Sequence, residues 1–168
     1  MILGLDVSTS ITGATIVDQA GNTLYCESWD TRNKKYFPSL YQKASLIRDS
    51  LMDIKVEYDI TEVFIERSLN SFRSGFSSAQ TLSTLSRFNG IVSWLCYEIF
   101  QVEPEMVAAT SARKTAGVGI KRGENAKEKV LKFVVDNDPD FKVEYTKFGN
   151  PKPGMTDMAD SWIVAVRS

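Results

Sequence analysis

Asp6, Glu66, Asp157 and Asp160 carry the side chains best placed to do chemistry, because each carboxyl stands beside residues that belong in a core. Asp6 interrupts the apolar run Ile2-Leu3-Gly4-Leu5, where an ionised group is costly unless it is paired or bound to metal. Glu66 directly follows Val63-Phe64-Ile65, and Asp157 and Asp160 lie three residues apart at the start of a helical pattern, so both project from one face. Each has a plainer reading when taken alone: Asp157 as a charge favoured by a helix N-terminus, Glu66 as a strand-end surface residue. Together they ask for compensation, since like charges roughly 5 Å apart cost about 3 kcal/mol per pair in a protein. A divalent metal relieves that cost. Magnesium takes oxygen ligands, and two ions about 4 Å apart can activate a water and stabilise the leaving oxygen of a phosphodiester.

The sequence contains no histidine, which excludes Ser-His-Asp and Cys-His mechanisms and imidazole metal ligation. Its two cysteines, Cys26 and Cys96, have no CxxC or CxxH spacing, so a zinc site is not expected and a reducing compartment fits. The net charge of −1 hides an asymmetry: Arg113, Lys114, Lys121, Arg122, Lys127, Lys129 and Lys132 face only Glu124 and Glu128 in that window. Such a face either holds phosphates or is a solvated helix surface. A chain of 168 residues is one domain's worth, residues 1–168, and buries enough surface to fold without disulfide or structural metal. No apolar run reaches membrane-spanning length and the first residues lack a signal peptide's basic flank; the expectation is a soluble, cytoplasmic protein with no membrane partner.

The elements that must position the acids follow from periodicity. Residues 2–8, 12–18 and 23–29 read as an antiparallel meander with a turn at Gln19-Ala20-Gly21-Asn22. Leu40, Ala44, Ile47, Leu51 and Ile54 form one helical stripe after Pro38-Ser39, and Leu82, Leu85, Phe88, Val92, Leu95 and Ile99 another along a helix over 77–100. Residues 62–66 form a strand reached by a helical crossover, hence parallel to the first, and 102–109 another. Thr110-Ser111 caps a short helical turn ending at Gly117, residues 125–135 form a helix, and Thr156 caps a last helix to about Val166. Trp29, Trp94 and Trp162 are assigned to the core. The order β-β-β-α-β-α-β-α-α predicts an α/β fold: a mixed five-stranded sheet, three antiparallel strands then parallel ones, flanked by helices.

Three segments together resemble the acidic motifs of RuvC-type Holliday-junction resolvases, in particular their phage and viral branch: residues 2–13 around Asp6, Phe64-Ile65-Glu66, and residues 156–166 around Asp157 and Asp160. The similarity extends to residues 112–119 and 126–130, in the same order along almost the whole chain. The resemblance implies an RNase H-like fold, a homodimer, symmetric cleavage of branched DNA and dependence on Mg²⁺ or Mn²⁺, two ions per site. It implies Asp6, Glu66, Asp157 and Asp160 as the metal-binding catalytic tetrad and places Lys114 and Lys127 near the scissile phosphate. The segment after Glu66, with Arg67, Phe72 and Arg73, corresponds to the one that enters the junction, where an aromatic can stack on exposed bases. Leu69, Phe72 and Phe76 compete for that aromatic position, and Phe76 reads equally as a hydrophobic staple for the following helix. Two departures stand out: Val7-Ser8 replaces the Pro-Gly that often follows the first acid, and Lys121-Arg122-Gly123-Glu124-Asn125 is an insertion that either extends DNA contact through Lys121 and Arg122 or sits in solvent.

Other readings share these features. An RNase H-like nuclease of RNA or RNA-DNA hybrid would use the same acids, and a catalytically silent branched-DNA-binding module would keep only the cations. Leu5-Asp6-Val7-Ser8-Thr9-Ser10 with Gly13 also resembles the first phosphate loop of sugar kinases and actin-like ATPases, which need two lobes and more residues than this.

Overall fold

The computed structural model describes residues 1–67 and 78–166. The strands are β1 (Ile2–Asp6), β2 (Ile11–Val17), β3 (Thr23–Asp30), β4 (Glu62–Glu66) and β5 (Glu105–Val107); the helices are α1 (Leu40–Glu57), α2 (Ala79–Phe100), α3 (Ala109–Ala116), α4 (Ala126–Asn137) and α5 (Met155–Ala165). The strands form one sheet in the order β3-β2-β1-β4-β5. β1–β2 and β2–β3 pair antiparallel, while β1–β4 and β4–β5 pair parallel, as the patterning predicts. β3 therefore runs in the same direction as β1, β4 and β5, and all four end at one edge of the sheet.

Alternation along the strands divides the core in two. Leu3, Leu5, Ala14, Ile16, Val63 and Ile65 face α1 and α2, whose stripes supply Ile47, Leu51, Phe88 and Val92. Ile2, Val17, Phe64 and Val107 face the other way, against Val130 and Val134 of α4 and Ile163 and Val164 of α5. Asp6 follows Ile2 and Gly4 in this period of two, and Glu66 follows Phe64; both point to the α5 side. The rotation of α5 is fixed by Trp162, whose Nε1 donates to Asp138 Oδ2 at 3.0 Å and to Thr23 Oγ1 at 2.9 Å, and by the 2.8 Å contact between the Ser161 and Thr15 hydroxyls.

Several local expectations need correction. The fifth strand is three residues long rather than 102–109: Pro104, which cannot donate to a ladder, stands at its entry, and α3 with its N-cap Ala108 takes over at its end. β1 stops at Asp6 instead of residue 8, where Ser8 Oγ turns back to accept from Ser10 and Ile11 N–H at 3.1 Å. The short turn after β5 is an eight-residue helix, α3, one more helix than expected; its N-cap is Ala108, so Thr110 and Ser111 lie inside it and do not cap it. α5 likewise starts from Gly154, at φ 97°, with Thr156 in its first turn. Trp29 and Trp162 are buried, but Trp94 is 57% exposed on the outer side of α2. Leu95 and Cys96 take the inward positions there, and Trp94 is turned about 100° from Leu95 and about 160° from Cys96 by the shorter way round.

Candidate active site

The parallel register between β1 and β4 runs Leu3 with Val63 to Leu5 with Ile65, so one further step sets Asp6 beside Glu66 at the sheet edge. α5 brings the other two acids by lying unusually close to the sheet. A β-carbon on Gly13, the partner of Asp6 on β2, would stand 1.9 Å from the Asp157 carbonyl oxygen. One on Gly4 would stand 2.5 Å from the Ala165 nitrogen and 2.6 Å from the Ser161 oxygen. Gly13 opposite Asp157 and Gly4 opposite Ser161 and Ala165 thus let the helix backbone touch the strands, and its first turns carry Asp157 and Asp160 to the edge where Asp6 and Glu66 end.

All four carboxylates line one cavity of about 470 Å³, together with Arg113 and Lys127. Burial raises Asp6 well above the usual carboxylate range, helped by the charges of Glu66, Asp160 and Asp157 and opposed by Lys127. Burial and then Asp160 push Glu66 up to about 7, against Arg113 and Lys127. Asp157 is raised by burial, with Lys127 and Arg32 pulling the other way; Asp160 is raised by burial, with Arg113 and Lys127 opposing. Arg113 reaches Asp160 at 3.7 Å, an ion pair whose acid is 8% exposed.

Among the described residues, no three acidic or cysteine side chains are arranged as a ready-made metal cage. The donor set still suits a hard cation: four carboxylates line one cavity, with neither imidazole nor thiolate among the lining groups. Burial disfavours the charged form of each acid, and Arg113 and Lys127 offset this only in part.

Of the cations expected near this chemistry, Lys127 and Arg67 line the acidic cavity. The Arg67 guanidinium also donates to the Met106 carbonyl at 3.3 Å. Lys114 does not reach the acids. It lines a separate cavity of about 560 Å³ with Gly117, Val118, Gly119 and Ile120, and Arg113 is shared between the two. Consecutive helical residues diverge by about 100°, so Arg113 and Lys114 cannot both face the acids. The pair Ala112 and Ala116, which packs α3 inward beside Arg113 and not beside Lys114, is the sequence signal for this. Lys121 and Arg122 are exposed in the α3–α4 connection, where the Lys121 N–H donates to Glu124 at 2.7 Å and Glu124 pairs with Lys129. Phe72 and Arg73, like Leu69 and Phe76, lie outside the described residues. Among the described residues, no helix is long and apolar enough to cross a membrane.

No protein-family model matches the sequence, and no curated protein matches it. Solved structures do. T. thermophilus RuvC in complex with Holliday junction substrate superposes with a TM-score of 0.70 at 13% identity, over 99% of this chain and 90% of that one. A second Thermus thermophilus RuvC structure gives 0.64 at 14% identity, over 99% and 91% of the two chains. The yeast mitochondrial Holliday junction resolvase Ydc2 gives 0.60 at 14%, over 99% of this chain and 76% of its own. At these identities the likeness is one of fold: the mixed five-stranded sheet with its flanking helices is the RNase H-like architecture that the motifs imply.

Proposed function

We propose that this protein is a metal-dependent endonuclease of branched DNA, chiefly four-way junctions, hydrolysing a phosphodiester to a 5′ phosphate and a 3′ hydroxyl. The observation that carries the reading is the meeting of Asp6, Glu66, Asp157 and Asp160 in one cavity walled by Arg113 and Lys127, on a fold shared with a protein solved on a Holliday junction. The four acids would hold two Mg²⁺ or Mn²⁺ ions, which when bound supply a nucleophile at neutral pH and stabilise charge on the leaving oxygen. Lys127 and Arg113 would hold the phosphate oxygens that a bare carboxylate cluster repels. Two symmetric incisions need two such sites, so the active species is a homodimer; Trp94 and Tyr97, 57% and 45% exposed one turn apart on α2, are the surface we assign to the contact.

The deciding experiment offers labelled four-way, three-way and linear DNA and an RNA-DNA hybrid in Mg²⁺ or Mn²⁺. Symmetric nicks near the branch of the four-way substrate are expected. Preference for the hybrid transfers the same acids to a ribonuclease, and binding without incision in either metal leaves a DNA-binding module.

The two lysines separate by mechanism. Lys127→Ala should slow single-turnover cleavage by about 10²-fold, the usual loss when one electrostatic group is removed from a site of charge development. Lys114→Ala should leave that rate near the parent's and weaken junction binding, with the salt slope smaller by about one.

Without divalent cation, stability should depend on pH with a definite sign. Glu66 is held at about 7 against an ordinary value of 4.5, so the folded state binds the proton more tightly than the unfolded chain. Its contribution is complete below 4.5 and is lost as pH rises through 7; the raised Asp6, Asp157 and Asp160 act in the same sense. Melting temperature in EDTA should fall from pH 5 to pH 8, and Mn²⁺ should restore more of it at pH 8 than at pH 5. A melting temperature flat across this range would contradict the clustering of acids.

A further inference from the structure

The acidic cavity has a second cationic rim that the window from Arg113 to Lys132 does not contain. Residues 30–43, joining β3 to α1, carry Arg32, Lys34, Lys35 and Lys43 against the single acid Asp30. They are riveted to the cavity wall. Thr31, 1% exposed, donates its N–H to the Ser10 carbonyl at 2.8 Å and shares its hydroxyl with the carbonyls of Thr9 and Ser10, while Lys43 donates to the Thr9 carbonyl. Ser8 and Ser10 themselves line the acidic cavity. Arg32, paired with Asp30 at 2.6 Å, also feels Asp157, each favouring the other's charged form.

Beyond that rivet the segment is ordered yet turned outward. The Asn33 side chain accepts from Lys35 N–H at 3.0 Å, and its carbonyl accepts from Tyr36 and Phe37 N–H at 3.1 and 2.9 Å. Tyr36 is 64% exposed with Lys35 5.7 Å from its ring centre, and Tyr41 is 73% exposed on the first turn of α1. Cations interleaved with exposed tyrosines on a hydrogen-bonded turn are the groups that grip a sugar-phosphate backbone, and no fold requirement keeps either ring in water. Topology sets this rim apart from the other. β3 is one outer strand and β5, which leads into α3 and Arg113, is the other; four strand spacings of about 4.8 Å separate them. The acids lie between.

We infer that Lys34, Lys35 and Tyr36, with Arg32 and Lys43 behind them, form a second backbone-binding surface that takes a duplex arm of the branched substrate on the side of the acids away from Arg113. The inference rests on the proposed branched-DNA reading and assigns a surface to it. The test uses Asp6→Asn protein as parent and the same protein with Lys34→Ala and Lys35→Ala added, measuring four-way junction binding by fluorescence anisotropy across salt and mapping contacts with hydroxyl radicals. The added substitutions should reduce the slope of log K against log salt by about two and remove protection from one pair of arms while the rest of the footprint stays. Both side chains are exposed, and equal melting curves will show that the fold is kept. A double variant with the parent's slope and footprint overturns this surface and leaves the nuclease reading standing. A parent that binds no branched DNA overturns the nuclease reading itself.

Discussion

Asp6→Asn will abolish incision of a four-way junction in Mg²⁺ or Mn²⁺ while the protein folds, binds the junction at least as tightly and melts at a higher temperature in EDTA. The four outcomes have one cause. Asp6 is raised well above the usual carboxylate range because burial, then Glu66, Asp160 and Asp157, disfavour its charge. An amide of the same shape removes that repulsion, so the cation-free protein gains stability at pH 8, where the carboxylate is most costly. It also removes one negative charge from the surface DNA must approach, which favours binding. What it takes away is a hard oxygen ligand at the point where the strand ends and α5 meet. Metal ions contribute several kcal/mol of charge stabilisation in phosphodiester hydrolysis, and at about 1.4 kcal/mol per tenfold the loss should be 10³-fold or more. Single-turnover gels read the rate, anisotropy the binding and circular dichroism the melting curve. Incision at the parent's rate would remove Asp6 from the chemistry, and a drop in melting temperature would mean that the carboxylate is compensated by neighbours rather than repelled.

The sheet and the acidic cluster were legible in the sequence because both are written in short-range patterns. Short continuous apolar runs in residues 2–6 and 62–66 give the strands, and an acid at the end of each is conspicuous against them. The crossover between them sets them parallel, and parallel neighbours place their terminal residues side by side. What was hidden depends on orientation within a helix or on contacts between distant segments. Arg113 and Lys114 are equivalent in a charge count, and only the packing of Ala112 decides which faces the acids. Trp94 reads as core by composition, yet neighbouring inward positions already fill the space under α2. The cap of α5 was misread because Gly154 takes a left-handed conformation packed against Ser28, a contact no local rule reports. The rim at residues 32–43 escaped for the same reason: its relation to the cavity runs through Thr31 and Lys43 to the carbonyls of Thr9 and Ser10, more than twenty residues away.

Gly13→Ala should disable the site from a position that carries no chemical group. The added methyl would meet the Asp157 carbonyl oxygen at 1.9 Å and its carbon at 2.4 Å, both backbone atoms, so no side chain can swing aside. β2 is held on both sides, by β1 through Asp6 opposite Gly13 and by β3 through Ser28, so the yielding element is the first turn of α5. Overpacking of this kind costs about 1–3 kcal/mol, which for a chain of this size lowers the melting temperature by several degrees. The functional cost should exceed the stability cost. Displacing Asp157 and Asp160 by roughly 1 Å relative to Asp6 and Glu66 is enough to slow a well-positioned reaction by about 10²-fold. Gly90→Ala supplies the contrast in stability: it lies in α2 with nothing within 4 Å of the new methyl, and alanine is favoured there by about 1 kcal/mol, so melting temperature should rise. Measured together, melting curves and single-turnover rates separate a general loss of stability from a shift of two carboxylates. If Gly13→Ala cleaves at the parent's rate, the close approach of α5 to the sheet is not what assembles the acids.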